Sequence, residues 1–408
     1  MPPAGERETL GWRRTGKHPM ATVYSPIEVL DGIWPLGVLA YGVSVVVTPV
    51  VRWIAYRANI VDRPDAGLKP HARPTAYLGG LAICVGFLVA IFVGVAGWPD
   101  LWPLAGAIAA AAVIITLTGL LDDLRELPPK YKVIGQVIAA GVLFAGLWTI
   151  GIHVSAARMF FSIVGVELPV WLAVTISAGV TVAVMVAACN ATNLLDGLDG
   201  LCGGVNGIIA LAFVALTVYL ACYGHHDTGP DQFRVILSLA MAGAVLGFLP
   251  YNAPPASIFL GDAGSMLLGF FVATMLMLFA IEGTLRWFLA AGVIFGLPII
   301  DTALAVVRRM LAGVNIFAGD RGHLYDQLVD RGMSIKAVVG LFYLLALLAA
   351  ALGVLQSIFL RTRYAIPLDA AILAVIVVIL AAKGMFSPKG RGGPGGTDPE
   401  DNETSPHA

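Results

Sequence analysis

The chain has 408 residues, of which 58% are hydrophobic and only 12% charged. Soluble domains carry about 25% charged residues, so water is not the main solvent of this chain. The formal net charge of −1 gives no basis for binding nucleic acid. The four cysteines have no metal-binding or redox spacing, so we expect buried thiols without a disulfide framework.

Both ends of the chain are polar. Residues 1–30 lack the continuous apolar stretch that a signal peptide needs, and residues 387–408 are rich in Gly, Pro, Asp and Glu. We therefore expect a disordered N-terminal tail over residues 1–30, a membrane domain over residues 31–386 and a disordered C-terminal tail over residues 387–408.

Apolar runs of about 20 residues, the length that one helix needs to cross the hydrocarbon core, recur along the chain. They predict an all-α polytopic bundle of about eleven transmembrane helices. The predicted helices cover residues 31–53, 76–97, 101–121, 133–151, 169–189, 203–223, 233–250, 263–281, 285–311, 336–358 and 365–383.

The positions of lysine and arginine predict the orientation of this bundle. Sixteen of the 25 lie in one set of alternate loops, and the other nine lie in the opposite set and the N-terminal tail. Because Lys and Arg concentrate in cytoplasmic loops, we expect a multi-pass protein of the cytoplasmic (inner) membrane with its N-terminus outside and its C-terminus in the cytoplasm. Five polar clusters all fall on the cytoplasmic side, in residues 62–73, 122–132, 190–199, 257–265 and 315–331.

Asp122 and Asp123 stand where the third predicted helix ends. The partly negative end of a helix disfavours two carboxylates, so something positive must compensate. A bound Mg²⁺ with Lys130 and Lys132 nearby is the functional interpretation. A solvated loop paired with Arg125 is the alternative.

Asn193, Asp196 and Asp199 recur every third residue after the fifth predicted helix. If this stretch is helical, the three side chains share one face and converge on a cation or a nucleotide. A plain Asn/Asp/Gly turn between two helices is the alternative.

Two further acids lie near predicted helix ends. Asp262 precedes an apolar run, where it either joins the acidic site or acts as a helix N-cap. Asp301 needs a partner inside the membrane, and a structural ion pair on its own helix, which also carries Arg308 and Arg309, is the favoured interpretation. The two arginines are then simple interfacial anchors.

Basic residues flank these clusters. Arg321 and His323 fall in the large loop after the ninth predicted helix, where an arginine suits a diphosphate. Lys69 and His71 precede the second predicted helix, where positive charge docks either a lipid phosphate or anionic headgroups. An incidental loop histidine is the alternative for His323.

These strings, taken in order, resemble the polyprenyl-phosphate N-acetylhexosamine-1-phosphate transferase family. They are Leu120–Asp123, Asn190–Leu201, Phe259–Ser265 and Asp320–Leu324. The resemblance implies that a polyprenyl phosphate attacks a UDP-N-acetylhexosamine, giving a lipid-diphospho-sugar and UMP with the help of Mg²⁺ or, as a substitute, Mn²⁺.

The resemblance also implies roles for individual residues. Asp122, Asp123 and His323 would be catalytic, and Asp122 is the favoured base. Asp262 and Asp196 would bind the metal. The substrates would be bound by Asn193, Asp196, Asp199 and Arg321. From their charge and position in the sequence alone, we add Lys69, His71 and Lys132 to the substrate-binding residues.

Two departures from the family pattern bear on the substrates. Tyr325 and Asp326 follow His323 where many relatives have histidines, and Ala76-Tyr77 stands where relatives often have Pro-Arg. The Asp-Arg-x-His form favours UDP-GlcNAc. The alternatives are the phospho-MurNAc-pentapeptide branch, a cation transporter and a catalytically dead scaffold. Membrane lipids are expected partners, and a homodimer is left open.

Overall fold

The computed structural model describes residues 25–62, 74–223, 230–280, 285–313 and 322–386. Over these residues the chain forms two very short strands, β1 (Val61–Asp62) and β2 (Thr75–Ala76), and α-helices that dominate the fold. The helices are α1 (Pro26–Leu30), α2 (Pro35–Arg57), α3 (Gly79–Gly94), α4 (Trp102–Arg125), α5 (Pro129–Thr149), α6 (Ser155–Phe161), α7 (Val170–Leu194), α8 (Leu201–Tyr223), α9 (Pro230–Asn252), α10 (Gly261–Phe279), α11 (Leu285–Ile294), α12 (Gly296–Leu311), α13 (Leu324–Asp330), α14 (Ile335–Phe359) and α15 (Thr362–Ala382).

The prediction of an all-α polytopic membrane bundle is confirmed. Nine helices in the described part of the chain are long and apolar enough to cross a membrane, and α11 with α12 makes a tenth candidate. Each predicted helix has a counterpart, but the second, α3, has only 16 residues, which is about 24 Å against a hydrocarbon core of about 30 Å.

The ninth predicted helix is broken into α11 and α12. The two halves meet at Phe295 with a bend of 69°. Pro298 explains the break, because it has no N–H to donate to the carbonyl of Ile294 and its ring clashes with that carbonyl. Helix α12 carries Asp301, which contacts His323 of the site described below.

Part of the N-terminal tail that we predicted to be disordered is helical. Residues 26–30 form helix α1, which begins with a capping box: the Glu28 carboxylate accepts from Ser25 N at 2.7 Å, and Ser25 Oγ accepts from Glu28 N at 3.3 Å. The rest of the predicted tails, residues 1–24 and 387–408, lies outside the described residues.

Helix α10 is the centre of the bundle, and nearly all of it is buried. Helices α3, α4, α7 and α9 pack around it. Small residues let the backbones approach: a Cβ on Gly80 of α3 would overlap the backbone of Gly264, and one on Gly119 of α4 would overlap the backbone at Asp262 and Ala263. This close packing fixes the start of α10 against the end of α4.

A short stretch of β structure supports the same region and was not predicted. Strands β1 and β2 pair antiparallel, with Val61 opposite Ala76. Ala76 also bridges to Ile258, and Phe259 N donates to Ala76 O at 2.8 Å. These bonds hold the chain before α3 alongside the chain that leads into α10.

The four cysteines are buried and free, as predicted.

Candidate active site

The ends of four helices meet at one end of the bundle and bring five predicted site residues together. Asp122 and Asp123 lie in the last turn of α4, and Asn193 lies in the last turn of α7. Lys132 lies in the first turn of α5, and Asp262 lies in the first turn of α10. Three of the five predicted polar clusters therefore meet in the described part of the chain.

Lys132 is the cation at the centre of this cluster. Its Nζ lies 2.5 Å from Asp122 Oδ2 and 2.7 Å from Asp262 Oδ2. The other oxygen of Asp122 accepts a hydrogen bond from Leu127 N at 2.8 Å. Lys130 does not share the role predicted for it, since its Nζ lies over the Tyr131 ring, 5.1 Å from the centroid. Lys132 alone of the two lysines links α4 to α10.

Asp123 caps the start of α10. Its Oδ1 accepts from Asp262 N at 2.8 Å, and its Oδ2 accepts from Ala263 N at 3.1 Å. The positive end of α10 thus compensates a carboxylate at the negative end of α4. Gly261 has φ +71°, and a Cβ there would lie 2.7 Å from Asp123 Oδ2. Both the backbone conformation and the close approach of the Asp123 carboxylate therefore require glycine at position 261.

Asp262 does not act as an N-cap. Its carboxylate instead binds Lys132 and Asn193, whose Nδ2 donates to Asp262 Oδ1 at 2.8 Å. Asn193 Nδ2 also lies 3.0 Å from Ser265 Oγ. Sequence reasoning missed Ser265 as a site residue, although its position one turn after Asp262 on the same helix is a usable signal.

The proposed helical face of Asn193, Asp196 and Asp199 is wrong. Helix α7 ends at Leu194, and the two aspartates lie in the turns that follow. Asp199 Oδ2 accepts from Ala256 N at 2.9 Å, so this carboxylate holds the chain after α9. The alternative of a turn between two helices is therefore correct for the backbone, whereas Asn193 still reaches Asp262.

Asp196 lies in an environment that is unfavourable to its charge. Its pKa lies well above the usual range because the surrounding protein desolvates it and because Asp262, Asp123 and Asp199 add negative charge. Within the residues that the structure describes, its carboxylate accepts no hydrogen bond. A cation beside Asp196 would offset the negative charge of these carboxylates.

His323 is paired with Asp301, which sequence reasoning assigned to a different partner. His323 Nδ1 lies 2.8 Å from Asp301 Oδ2, and Leu324 N donates to Asp301 Oδ1 at 2.7 Å. Asp301 therefore fixes the imidazole and the start of α13. It has a structural partner, as predicted, but that partner is His323 and not an arginine of its own helix. The two residues are 22 positions apart, and no local pattern could have joined them.

Arg308 and Arg309 are not the interfacial anchors that we expected. Both side chains are buried. The Arg308 guanidinium donates to the carbonyl of Gly322, directly before His323, and a Cβ on Gly322 would overlap that guanidinium. Arg308 thus positions the same loop that Asp301 holds.

Tyr77 is a further residue at the site that the sequence did not identify. Its hydroxyl hydrogen-bonds to the Asp62 carboxylate, and its ring lies 5.8 Å from Phe259. Its pKa is raised by desolvation and by the charges of Asp62, Asp123 and Asp262. The hydroxyl therefore stays protonated beside the acidic cluster.

Three predicted substrate-binding residues lie outside the described parts of the chain. They are Lys69, His71 and Arg321. Their roles stay predictions.

Comparison with known proteins agrees with the family suggested by the motifs. The family model for glycosyl transferase family 4 matches residues 105–280. Decaprenyl-phosphate N-acetylglucosaminephosphotransferase of Mycobacterium tuberculosis is 32% identical over 386 residues, which cover 90% of this chain and 91% of that one.

Two other relatives have related names. The probable undecaprenyl-phosphate N-acetylglucosaminyl 1-phosphate transferase of Bacillus subtilis is 32% identical over 303 residues, covering 74% of this chain and 78% of its own. Phospho-N-acetylmuramoyl-pentapeptide-transferase of Oceanobacillus iheyensis is 30% identical over 347 residues, covering 80% and 98%.

The similarity spans nine-tenths of the chain, and the residues that the family motifs single out meet at one end of an apolar helix bundle. The chain therefore belongs to glycosyl transferase family 4, the multi-pass membrane enzymes that transfer sugar phosphates onto polyprenyl phosphate.

Proposed function

We propose that this enzyme transfers N-acetylglucosamine 1-phosphate from UDP-N-acetylglucosamine to polyprenyl phosphate. The products are UMP and a lipid-linked diphospho-sugar for cell-envelope glycan synthesis. The observation that carries the proposal is the Lys132 ammonium held between Asp122 and Asp262 where four helix ends meet. The choice of sugar is supported by the mycobacterial relative, whose match covers 90% of this chain.

In the proposed reaction an oxygen of the lipid phosphate attacks the phosphorus that carries the sugar. The bond from that phosphorus to the bridging oxygen breaks, and UMP leaves with the electron pair. Such a transfer needs positioning and neutralisation of charge far more than covalent help from the protein. A cluster of charged side chains at the membrane surface supplies both.

Lys132 is the residue that we assign to the phosphates. Its ammonium already contacts two carboxylates from different helices, so it can exchange one of them for a phosphate oxygen without moving far. Asp122 is the proposed base for a lipid phosphate that binds with its proton. Asp123 uses both oxygens to hold the start of α10, which keeps Asp262 in place.

The acidic cluster fits a magnesium ion by the chemistry of its donors. Among the described residues, no three His, Cys, Asp or Glu side chains are already arranged around a metal position, and Lys132 is the only cation paired with these acids. Mg²⁺ takes carboxylate oxygens and keeps several waters, so two acids suffice. We propose Asp196 and Asp262 as its ligands, with Mn²⁺ as a substitute. Bound there, the ion supplies positive charge to the reacting phosphates.

The nucleotide is assigned to the neighbouring side of the cluster. Asn193, Asp196 and Asp199 lie at or after the end of α7, and His323 lies at the start of α13. Asp301 holds Nδ1 of His323, which leaves Nε2 for the sugar nucleotide together with Arg321. Lys69 and His71 are assigned to the lipid phosphate.

We also propose how the chain lies in the inner membrane. If α3 and the bent α11–α12 pair both cross, the described helices make eleven crossings, with the N-terminus outside and the site at the cytoplasmic face, where UDP-sugars are made. Residues 31–386 then form one transferase domain between two tails. Labelling of single cysteines placed beside Lys132 and beside Arg286, with a reagent that cannot cross the membrane, tests this orientation.

The activity is tested with purified protein, polyprenyl phosphate and UDP-N-acetylglucosamine by following UMP release. We expect turnover by the wild type, loss of turnover in Lys132→Met and retention in Lys130→Met, which removes a lysine two residues away on the same helix. Equal activity of the two variants would refute the role of Lys132. Absence of turnover by the wild type would refute the proposed reaction.

A second candidate substrate is UDP-MurNAc-pentapeptide, favoured by the 30% identity to the enzyme of Oceanobacillus iheyensis. The same assay separates the two. Release of UMP from this nucleotide alone would assign the chain to the pentapeptide branch and overturn the proposed sugar.

A further inference from the structure

Tyr325 joins two parts of the site that come from distant stretches of the chain. Its hydroxyl donates to the carbonyl of Leu194, the last residue of α7, at 3.1 Å. Its ring is parallel to the imidazole of His323, with an interplanar angle of 7° and centroids 5.6 Å apart. One side chain therefore contacts both the neighbour of Asn193 and the histidine that Asp301 holds.

Gly197 makes room for this side chain. A Cβ at Gly197 would overlap the hydroxyl and the ring of Tyr325. Gly197 does not have a positive φ, so the backbone conformation does not call for glycine here. Glycine at this position is explained by the approach of Tyr325 to the turn that contains Asp196.

Tyr325 is positioned by its surroundings rather than exposed to a ligand. Its side chain is buried, and its ring meets that of Phe342 edge-on, 6.4 Å between centroids at 68°. The pKa of its hydroxyl is raised by desolvation and by the negative charges of Asp326, Asp301 and Asp196. The hydroxyl therefore keeps its proton and remains a donor to Leu194.

We propose that Tyr325 is a positioning residue for the sugar nucleotide. It holds His323 and the turn after α7 in one arrangement, so that both can contact the same UDP-sugar. This inference rests on the proposed function for the identity of the nucleotide. The contacts themselves rest on the geometry of α7, α13 and the turn between α7 and α8.

The test compares Tyr325→Phe with Tyr251→Phe. Tyr251 is a matched control, because its hydroxyl also donates to a main-chain carbonyl at 3.1 Å, that of Val45. Losing one such hydrogen bond corresponds to about a three- to ten-fold effect. We expect Tyr325→Phe to raise KM for the UDP-sugar by about that factor and to leave KM for polyprenyl phosphate unchanged. Tyr251→Phe should change neither value. Parallel changes in both KM values, or no change, would overturn the proposal.

Gly197→Ala provides a second variant that acts on the same contact from the other side. It should raise the same KM, because its Cβ overlaps the ring as well as the hydroxyl of Tyr325. In a Tyr325→Ala background, where there is no ring to overlap, the same change should have little further effect. Additive effects would overturn the proposal.

A failure of the proposed reaction is recognised separately, by the absence of turnover in the wild type. In that case amide hydrogen exchange tests, without any substrate, whether Tyr325 holds the turn after α7. Exchange in residues 195–201 should be faster in Tyr325→Phe than in Tyr251→Phe. Equal exchange would refute the positioning role.

Discussion

Asp123 at the end of α4 caps the helix that begins with Gly261 and Asp262. Each carboxylate oxygen accepts one main-chain N–H, from Asp262 at 2.8 Å and from Ala263 at 3.1 Å. The negative end of one helix is thereby joined to the positive end of another through a single acid. The stability of the fold and the proposed activity therefore both depend on the Asp123 side chain. Two substitutions at this position can distinguish the two contributions.

Replacing Asp123 should affect stability and activity to different degrees. Asp123→Ala leaves two N–H groups without an acceptor and should destabilise the protein by about 1–2 kcal/mol, as loss of a helix cap does. Asp123→Asn keeps one acceptor and should destabilise it less. Both variants should lose most of the UMP-releasing activity, because both lose the charge. Thermal unfolding in detergent and the UMP assay measure the two effects.

Glu126→Gln is the control for Asp123, because Glu126 is an exposed carboxylate three residues further along the chain. It should leave both the unfolding midpoint and the activity close to wild type. An Asp123→Asn variant that kept wild-type activity would show that Asp123 serves only as a cap.

The sequence was sufficient for the architecture because apolar runs and charge placement follow directly from the solvent. Composition alone indicated a membrane bundle, and the order of the motifs indicated the family. The contact of Asp123 with Asp262 N could not be predicted from the sequence, because it depends on how closely α4 and α10 pack at Gly119 and Gly261.

The spacing of Asn193, Asp196 and Asp199 gave a wrong prediction of a helical face. A period of three residues also occurs in a turn rich in Asp and Gly.

Asp262→Asn should raise the Mg²⁺ requirement of the enzyme. The amide cannot supply the charge that Lys132 and a divalent cation both use, so activity at ordinary Mg²⁺ should fall by about 100-fold, the scale of a few kcal/mol. Raising the Mg²⁺ concentration should restore part of it, and EDTA should abolish activity in the wild type. The measurement is UMP release as a function of Mg²⁺ concentration.

Asp100→Asn controls for the loss of a carboxylate elsewhere, because Asp100 is exposed at the opposite end of α4. Its Mg²⁺ dependence should match the wild type. The ligand role of Asp262 fails if Asp262→Asn shows that same dependence.

Asp301→Asn should impair the use of the sugar nucleotide through His323. Asparagine can accept only one of the two hydrogen bonds that Asp301 accepts, from His323 Nδ1 and Leu324 N. Losing a charge-assisted bond corresponds to about a 10- to 100-fold fall in kcat/KM for the UDP-sugar. In a His323→Ala background the same change should have little further effect. Full additivity would mean that Asp301 acts independently of the histidine.

Arg234 offers a test of stability at the end of α10 that lies away from the site. Its guanidinium is buried, donates to the Leu278 carbonyl at 2.9 and 2.6 Å, and pairs with Asp231. Arg234→Met leaves that carbonyl and a buried acid without a partner, so it should destabilise the protein by about 3 kcal/mol. Adding Asp231→Asn should recover part of the loss. Because Leu278 lies about 24 Å along α10 from Asp262, kcat/KM of the folded protein should stay at the wild-type value.

The control is Arg363→Met, which removes an exposed arginine stacked on Tyr364. It should leave the unfolding midpoint unchanged. A midpoint for Arg234→Met equal to that of Arg363→Met would show that the buried pair contributes nothing to stability.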